Sequence, residues 1–141
     1  ARYEVMNETY VKKLQIEARI IGDMCLSQVI PAAVRYKNVL IENVKGLKKI
    51  FGDDYLSYCT SEMDALKAIS KYINNMSADI ELLVEARKKA NRIENLAQRA
   101  KVYSREVKDM MERVRESADN LEMLIDNEMW PLPKYRELLF F

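Results

Sequence analysis

The sequence predicts an all-α protein: an elongated antiparallel three-helix bundle with an extended Pro/aromatic C-terminal tail. Three observations carry this. Only 3 glycines and 3 prolines occur in 141 residues, which leaves little punctuation for turns and hairpins and favours long helices over a sheet. Two long runs place apolar residues at alternating steps of three and four, the spacing of a helix seam. The composition then changes abruptly at the end, where MWPLPKYRELLFF holds the only tryptophan and two of the three prolines.

The length fits one domain with a single core, with the bundle over 1–129 and the tail over 130–141. The first helix is expected from about residue 3 to about residue 50. Its apolar face is wide, running through Met6, Tyr10, Leu14, Ile16, Ile20, Ile21, Met24, Cys25, Val29, Ile30 and Val34. A face of that width needs cover on more than one side. Pro31 has no N–H and its ring crowds the preceding turn, so a kink is expected near Val29 to Pro31 with the helix continuing beyond.

FGDDYLSYCT reads as a loop, with Gly52 and paired aspartates. Ser61 followed by Asp64 then marks the start of the second helix, over 61–89, whose seam is Leu66, Ile69, Ile73, Met76, Ile80 and Leu83. KKANRIEN has no apolar phase, and Asn91 with Glu94 reads as a capping pair, so a tight turn is placed there. The third helix, over 92–129, carries Ile93, Leu96, Ala100, Tyr103, Val107, Met110, Val114, Leu121 and Leu124, and Pro131 is expected to stop it.

Composition excludes more chemistry than it suggests. The 23 basic and 22 acidic residues give a net charge of +1, so no global field draws the chain to nucleic acid or an anionic membrane. The basic residues Arg35, Lys37, Lys45, Lys48 and Lys49 read as a solvated helix face. With no histidine, a di-iron site built from Glu-x-x-His pairs is excluded, and neither cysteine has an imidazole to activate it. Gly22, Gly46 and Gly52 are too dispersed for a phosphate cradle. Cys25 and Cys59 read as buried thiols of a reducing compartment. Glu17, Asp23 and Glu42 read as surface charges, although Glu17 and Asp23 interrupt an apolar surface and are candidates to pair with Arg19. The most apolar window is broken by Glu17, Arg19 and Asp23 and falls short of a membrane span. The chain opens on Ala1 inside a helical pattern, as expected of a piece of something longer.

Two stretches carry a resemblance. RYEVMNETYVKKLQIEARIIGDM, with Tyr10-Val11-Lys12, Ile16-Glu17-Ala18, Asp23-Met24 and Ile30-Pro31-Ala32, is similar to the beginning of the C-terminal region of type III glutamine synthetases. Trp130-Pro131-Leu132-Pro133-Lys134-Tyr135 with Leu138-Leu139-Phe140 resembles that family's terminus. The resemblance implies a longer cytoplasmic parent enzyme that ligates ammonia to glutamate with ATP and a divalent metal, built as a double-ringed oligomer. No residue here matches the family's metal, nucleotide or glutamate ligands, so no catalytic, cofactor or metal residue is expected in this stretch. The expected role is subunit packing or oligomer assembly, with the parent's catalytic domain and neighbouring subunits as partners.

Within that frame Trp130, Pro131, Pro133, Tyr135, Leu138, Leu139, Phe140 and Phe141 form a docking tail. Proline spacing leaves such a segment little conformational freedom to lose on docking. Partial fold-back over the first helix is the favoured placement, with a contact between subunits second. A stand-alone helical interaction module is the alternative reading. A membrane-surface protein anchored by Leu-Leu-Phe-Phe is a third, which liposome co-sedimentation tests.

Overall fold

The computed structural model describes residues 2–133, and these form three rods with no strand among the described residues. The first rod joins α1 (Arg2–Met24) to α2 (Ile30–Phe51) through a π-helical turn at Cys25–Val29. A short 3-10 helix, Gly52–Tyr58, leads into the second rod, α3 (Thr60–Asn91), which at 32 residues is roughly 48 Å long at 1.5 Å per residue. The third rod joins α4 (Leu96–Val102) to α5 (Lys108–Leu124) through a second π-helical turn at Tyr103–Val107. Most of the packing between rods is α3 on α5, α2 on α3 and α1 on α4.

The seams lie at the centre. Ile69, Met76, Ile80 and Leu83 of α3 are buried, facing Ala100, Tyr103, Val107, Met110, Val114 and Leu121 of the third rod. The buried residues divide along the long axis into two clusters. One joins Cys25, Val29 and Ala33 to Ile69, Met76, Val114, Leu121 and Trp130. The other joins Val11, Leu14 and Ala18 to Leu83, Ala90, Tyr103, Val107 and Met111. Ile21 packs against both.

The irregularity expected near Pro31 takes the form of the first π-helical turn. Pro31 has no N–H to offer the carbonyl of Ser27, and the ladder widens just before it, the Ile30 N–H bonding to Cys25 O five residues back. The Ser27 hydroxyl donates to the Asp23 carbonyl at 2.6 Å.

Three element boundaries differ from the sequence expectation, each for a local reason. Ser61 and Asp64 form no capping pair: α3 starts at Thr60, its first bond running from Met63 N–H to Cys59 O at 2.9 Å, so Ser61 already lies inside the first turn. At the turn between the second and third rods the cap is Asn95, not Asn91. Asn95 has an extended backbone and its side chain accepts from Gln98 N–H at 3.0 Å, so the third rod starts at Leu96. That rod also ends at Leu124 and not near residue 129. Ile125 is extended and buried, and Asp126 captures the next donors: its carboxylate accepts from Glu128 N–H, and its carbonyl from Met129 and Trp130 N–H. Pro131 thus follows a reversal already made by Asp126.

Gly52 ends α2 with φ 62 and ψ −133, a backbone conformation reserved for glycine, and a Cβ there would meet nothing within 4 Å. Gly52→Ala is therefore expected to cost on the order of 1–3 kcal/mol through backbone strain alone. Gly46, inside α2 with equally open surroundings, should respond with the opposite sign, Gly46→Ala gaining roughly 0.5–1 kcal/mol. Urea unfolding of the two variants checks both; equal effects would remove the strain argument.

Candidate functional site

The returning segment after α5 builds the most specific surface feature. Turned by Asp126, the chain lays Trp130 against the bundle until only 9 % of the residue is exposed, in the cluster of Cys25, Val29 and Ala33. Leu132 is half-buried beside it, while Pro131 and Pro133 are exposed. A cavity of about 250 Å³ lies at this crossing, walled by Ile21, Met24, Cys25 and Val29 of the first rod, by Arg115, Ala118, Asp119 and Glu122 of α5, and by Trp130 and Leu132. Burial, then Glu122, pushes the Asp119 carboxyl above its usual range, with Arg115 opposing. The Trp130 indole N–H is buried and meets no acceptor among the described residues. Tyr135, Leu138, Leu139, Phe140 and Phe141, the rest of the expected docking tail, lie outside the described residues.

The wide face of the first rod is covered only in part. Leu14, Cys25 and Val29 are buried, but Met6, Ile16, Ile20 and Val34 stay exposed among the described residues. A second apolar patch sits where α2 meets α3, and it was missed as a loop in the sequence. Phe51 and Tyr58 stack with ring centroids 3.9 Å apart, Lys48 Nζ lies 5.6 Å from the Tyr55 ring, and Ile50 and Leu56 are exposed nearby. The signal available was the density of large apolar side chains around Gly52, more than a solvated loop needs.

The charged candidates stay apart. Neither Glu17 nor Asp23 forms an ion pair with Arg19 among the described residues, and Glu42 pairs with Lys45 at 3.3 Å on the exposed face of α2. Asp23 and Arg19 instead line a pocket with Arg87 of α3. No three acidic or cysteine side chains gather as metal ligands among the described residues. Cys25 and Cys59 are free and buried, and burial pushes the Cys25 thiol up to about 11. No helix among the described residues is long and apolar enough to cross a membrane.

These features define an elongated all-α domain whose distinctive surfaces are apolar and suited to docking. Residues 1–48 match the family described as the glutamine synthetase C-terminal domain. Over 99 % of its length the chain is 41 % identical to a glutamine synthetase of Bacteroides fragilis and 29 % identical to one of Butyrivibrio fibrisolvens. It is 26 % identical, again over 99 % of its length, to the type-3 glutamine synthetase of Dictyostelium discoideum. Over nearly its whole length the chain is thus similar to a part of glutamine synthetases. It spans 19 to 20 % of the length of these relatives.

Proposed function

We propose that this chain is a non-catalytic helical region of a type III glutamine synthetase that supports subunit packing or oligomer assembly. The carrying observation is that nearly the whole chain aligns with about a fifth of each relative, all of them glutamine synthetases. The exposed Phe51–Tyr58 stack and the uncovered face at Ile16 and Ile20 support a role in contact with other parts of the enzyme. In this reading ATP, divalent metal and glutamate bind in the remaining four-fifths, where ammonia is ligated. The partners here are the catalytic domain and neighbouring subunits, and the compartment is the cytoplasm, where buried free thiols persist.

The test places charge on these surfaces in the whole enzyme. Leu56→Asp with Tyr58→Asp at the tip, and Ile16→Asp with Ile20→Asp on the first rod, are expected to shift assembly towards smaller species in mass photometry. The 141-residue chain alone should form no glutamine from glutamate, ammonium and Mg-ATP. Full assembly in both double variants, or turnover by the isolated chain, would overturn the reading. A stand-alone interaction module would use the same apolar surfaces, and the length of the intact reading frame separates it from this proposal.

A further inference from the structure

The pocket that holds Arg19, Asp23 and Arg87 has a volume of about 220 Å³, lies between α1 and α3, and shares no lining residue with the cavity at Trp130. Its floor is apolar: Ala18, Ile80 and Leu83 are all buried there. Its rim is charged, with Arg19 and Asp23 exposed on α1 and Arg87 half-buried on α3. Arg19 and Asp23 are one helical turn apart, within reach of each other. Yet among the described residues neither they nor Arg87 forms an ion pair. Gly22 stands beside both α1 charges. A Cβ at Gly22 would meet only Ile80 Cγ2 at 4.0 Å, an ordinary contact, so packing does not demand glycine at a helix position that glycine weakens. What the missing side chain leaves is open space next to Ile80. Leu26, also in the lining, is 52 % exposed and lacks cover of its own.

We propose that this pocket binds a small α-amino acid with a branched apolar side chain, its carboxylate held by Arg19 and Arg87, its ammonium by Asp23 and its side chain lying on Ile80 and Leu83. Guanidinium groups pair with a carboxylate through parallel N–H donors, and a rim of two cations and one anion offers a partner to each end of a zwitterion. The floor selects the rest of the ligand. With Ala18, Ile80 and Leu83 beneath it, a second charge on the ligand's side chain would be desolvated without a partner. Size sets the other bound: drug-sized sites run to roughly 300–1,000 Å³ and this one is smaller. An apolar cavity of about 150 Å³ already takes up benzene, so a branched aliphatic side chain fits. The inference goes beyond the glutamine synthetase reading and does not rest on it, because binding is read in the chain itself and no turnover is involved.

Leucine titrated into the full 141-residue chain is expected to shift the amide resonances of Gly22, Asp23 and Val84 saturably in nitrogen–proton correlation spectra. Two further probes divide the recognition. Removing the ligand's ammonium, as in 4-methylpentanoate, should weaken binding about tenfold, and glutamate should bind at least as weakly. Asp23→Asn should erase the preference for leucine over 4-methylpentanoate while the same amides still respond to both. Arg87→Gln should weaken both ligands about tenfold. Gly22→Leu, which fills the pocket, should abolish the response with helical circular dichroism retained; the two rim variants keep the test open should this one unfold. No saturable shift in the unaltered chain overturns the proposal, as does a response at amides away from α1 and α3. Equal binding of leucine, 4-methylpentanoate and glutamate also overturns it, since the rim would then not read a zwitterion.

Discussion

Deleting Glu112 is expected to unfold the third rod from its middle, whereas deleting Arg105, seven residues earlier, should leave the fold intact. Both side chains are exposed, so the contrast rests on helix register alone. Glu112 lies within the regular ladder of α5, and its removal turns every later residue by about 100° relative to those before it. Val114 and Leu121, both fully buried, would leave the core, at roughly 1.5–3 kcal/mol each. Ile125 and Trp130 follow them. The sum approaches the roughly 5–15 kcal/mol that holds a whole domain together.

Arg105 lies inside the π-helical turn, where Lys108 N–H already reaches back five residues to Tyr103 O. Removing one residue between them turns that bond into an ordinary α-helical one and leaves both halves in register. The expected cost is no more than about 2 kcal/mol. Chemical denaturation followed by circular dichroism decides it, and similar losses for the two deletions would mean that the turn is not an accommodated extra residue.

Tyr103→Ala is expected to cost about 3–5 kcal/mol, the range for truncating a buried aromatic side chain. Tyr103 heads the fully buried side chains by volume, and its hydroxyl donates to the Asn91 side chain at the end of α3. Tyr103→Phe keeps the ring and loses only that bond, for about 0.5–1.5 kcal/mol, because the exposed Asn91 can turn to water. Equal losses in the two variants would transfer the energy from packing to the hydrogen bond.

The phenol also carries a pH signature. Burial raises its folded-state pKa above the ordinary 10.0, against smaller lowering effects from Arg87, Asn91 and Arg99. The folded form therefore holds its proton more tightly than the unfolded chain, and this contribution is complete below pH 10.0 and is lost as pH rises through the folded value. Alkaline unfolding should be shallower in Tyr103→Phe than in the unaltered protein.

The seams were legible because a single rule, steps of three and four, applies wherever helices pack side by side. Ile69, Met76, Ile80, Val107 and Val114 lie in the core where that rule places them. The second π-helical turn was not legible, since Tyr103 and Val107 keep the same spacing whether the turn between them is α or π. The end of α5 was misplaced because Pro131 is a loud signal and Asp126 a quiet one, yet Asp126 lies closer and offers a carboxylate as well as a carbonyl. The tip escaped because its stack pairs two rings across Gly52, and no periodicity in the sequence links Phe51 with Tyr58. Trp130 packs beside Cys25 and Val29 of the first rod, and the cavity beside it depends on where three separate segments cross, which no periodicity encodes.

The division of the interior into two clusters, with Ile21 touching both, bears on how the molecule opens. Each cluster closes around its own stretch of all three rods, so the continuous backbone and the shared contact of Ile21 couple one end to the other. Amide hydrogens around Val11 to Ala18 and around Ala100 to Met111 are expected to exchange as one unit, and those around Val29 to Leu40 and Val114 to Leu121 as another, each with its own free energy of opening. A load applied at one end of such a rod is absorbed by a few turns of helix before it reaches the far end, which suits a spacer that must hold its length while its neighbours move.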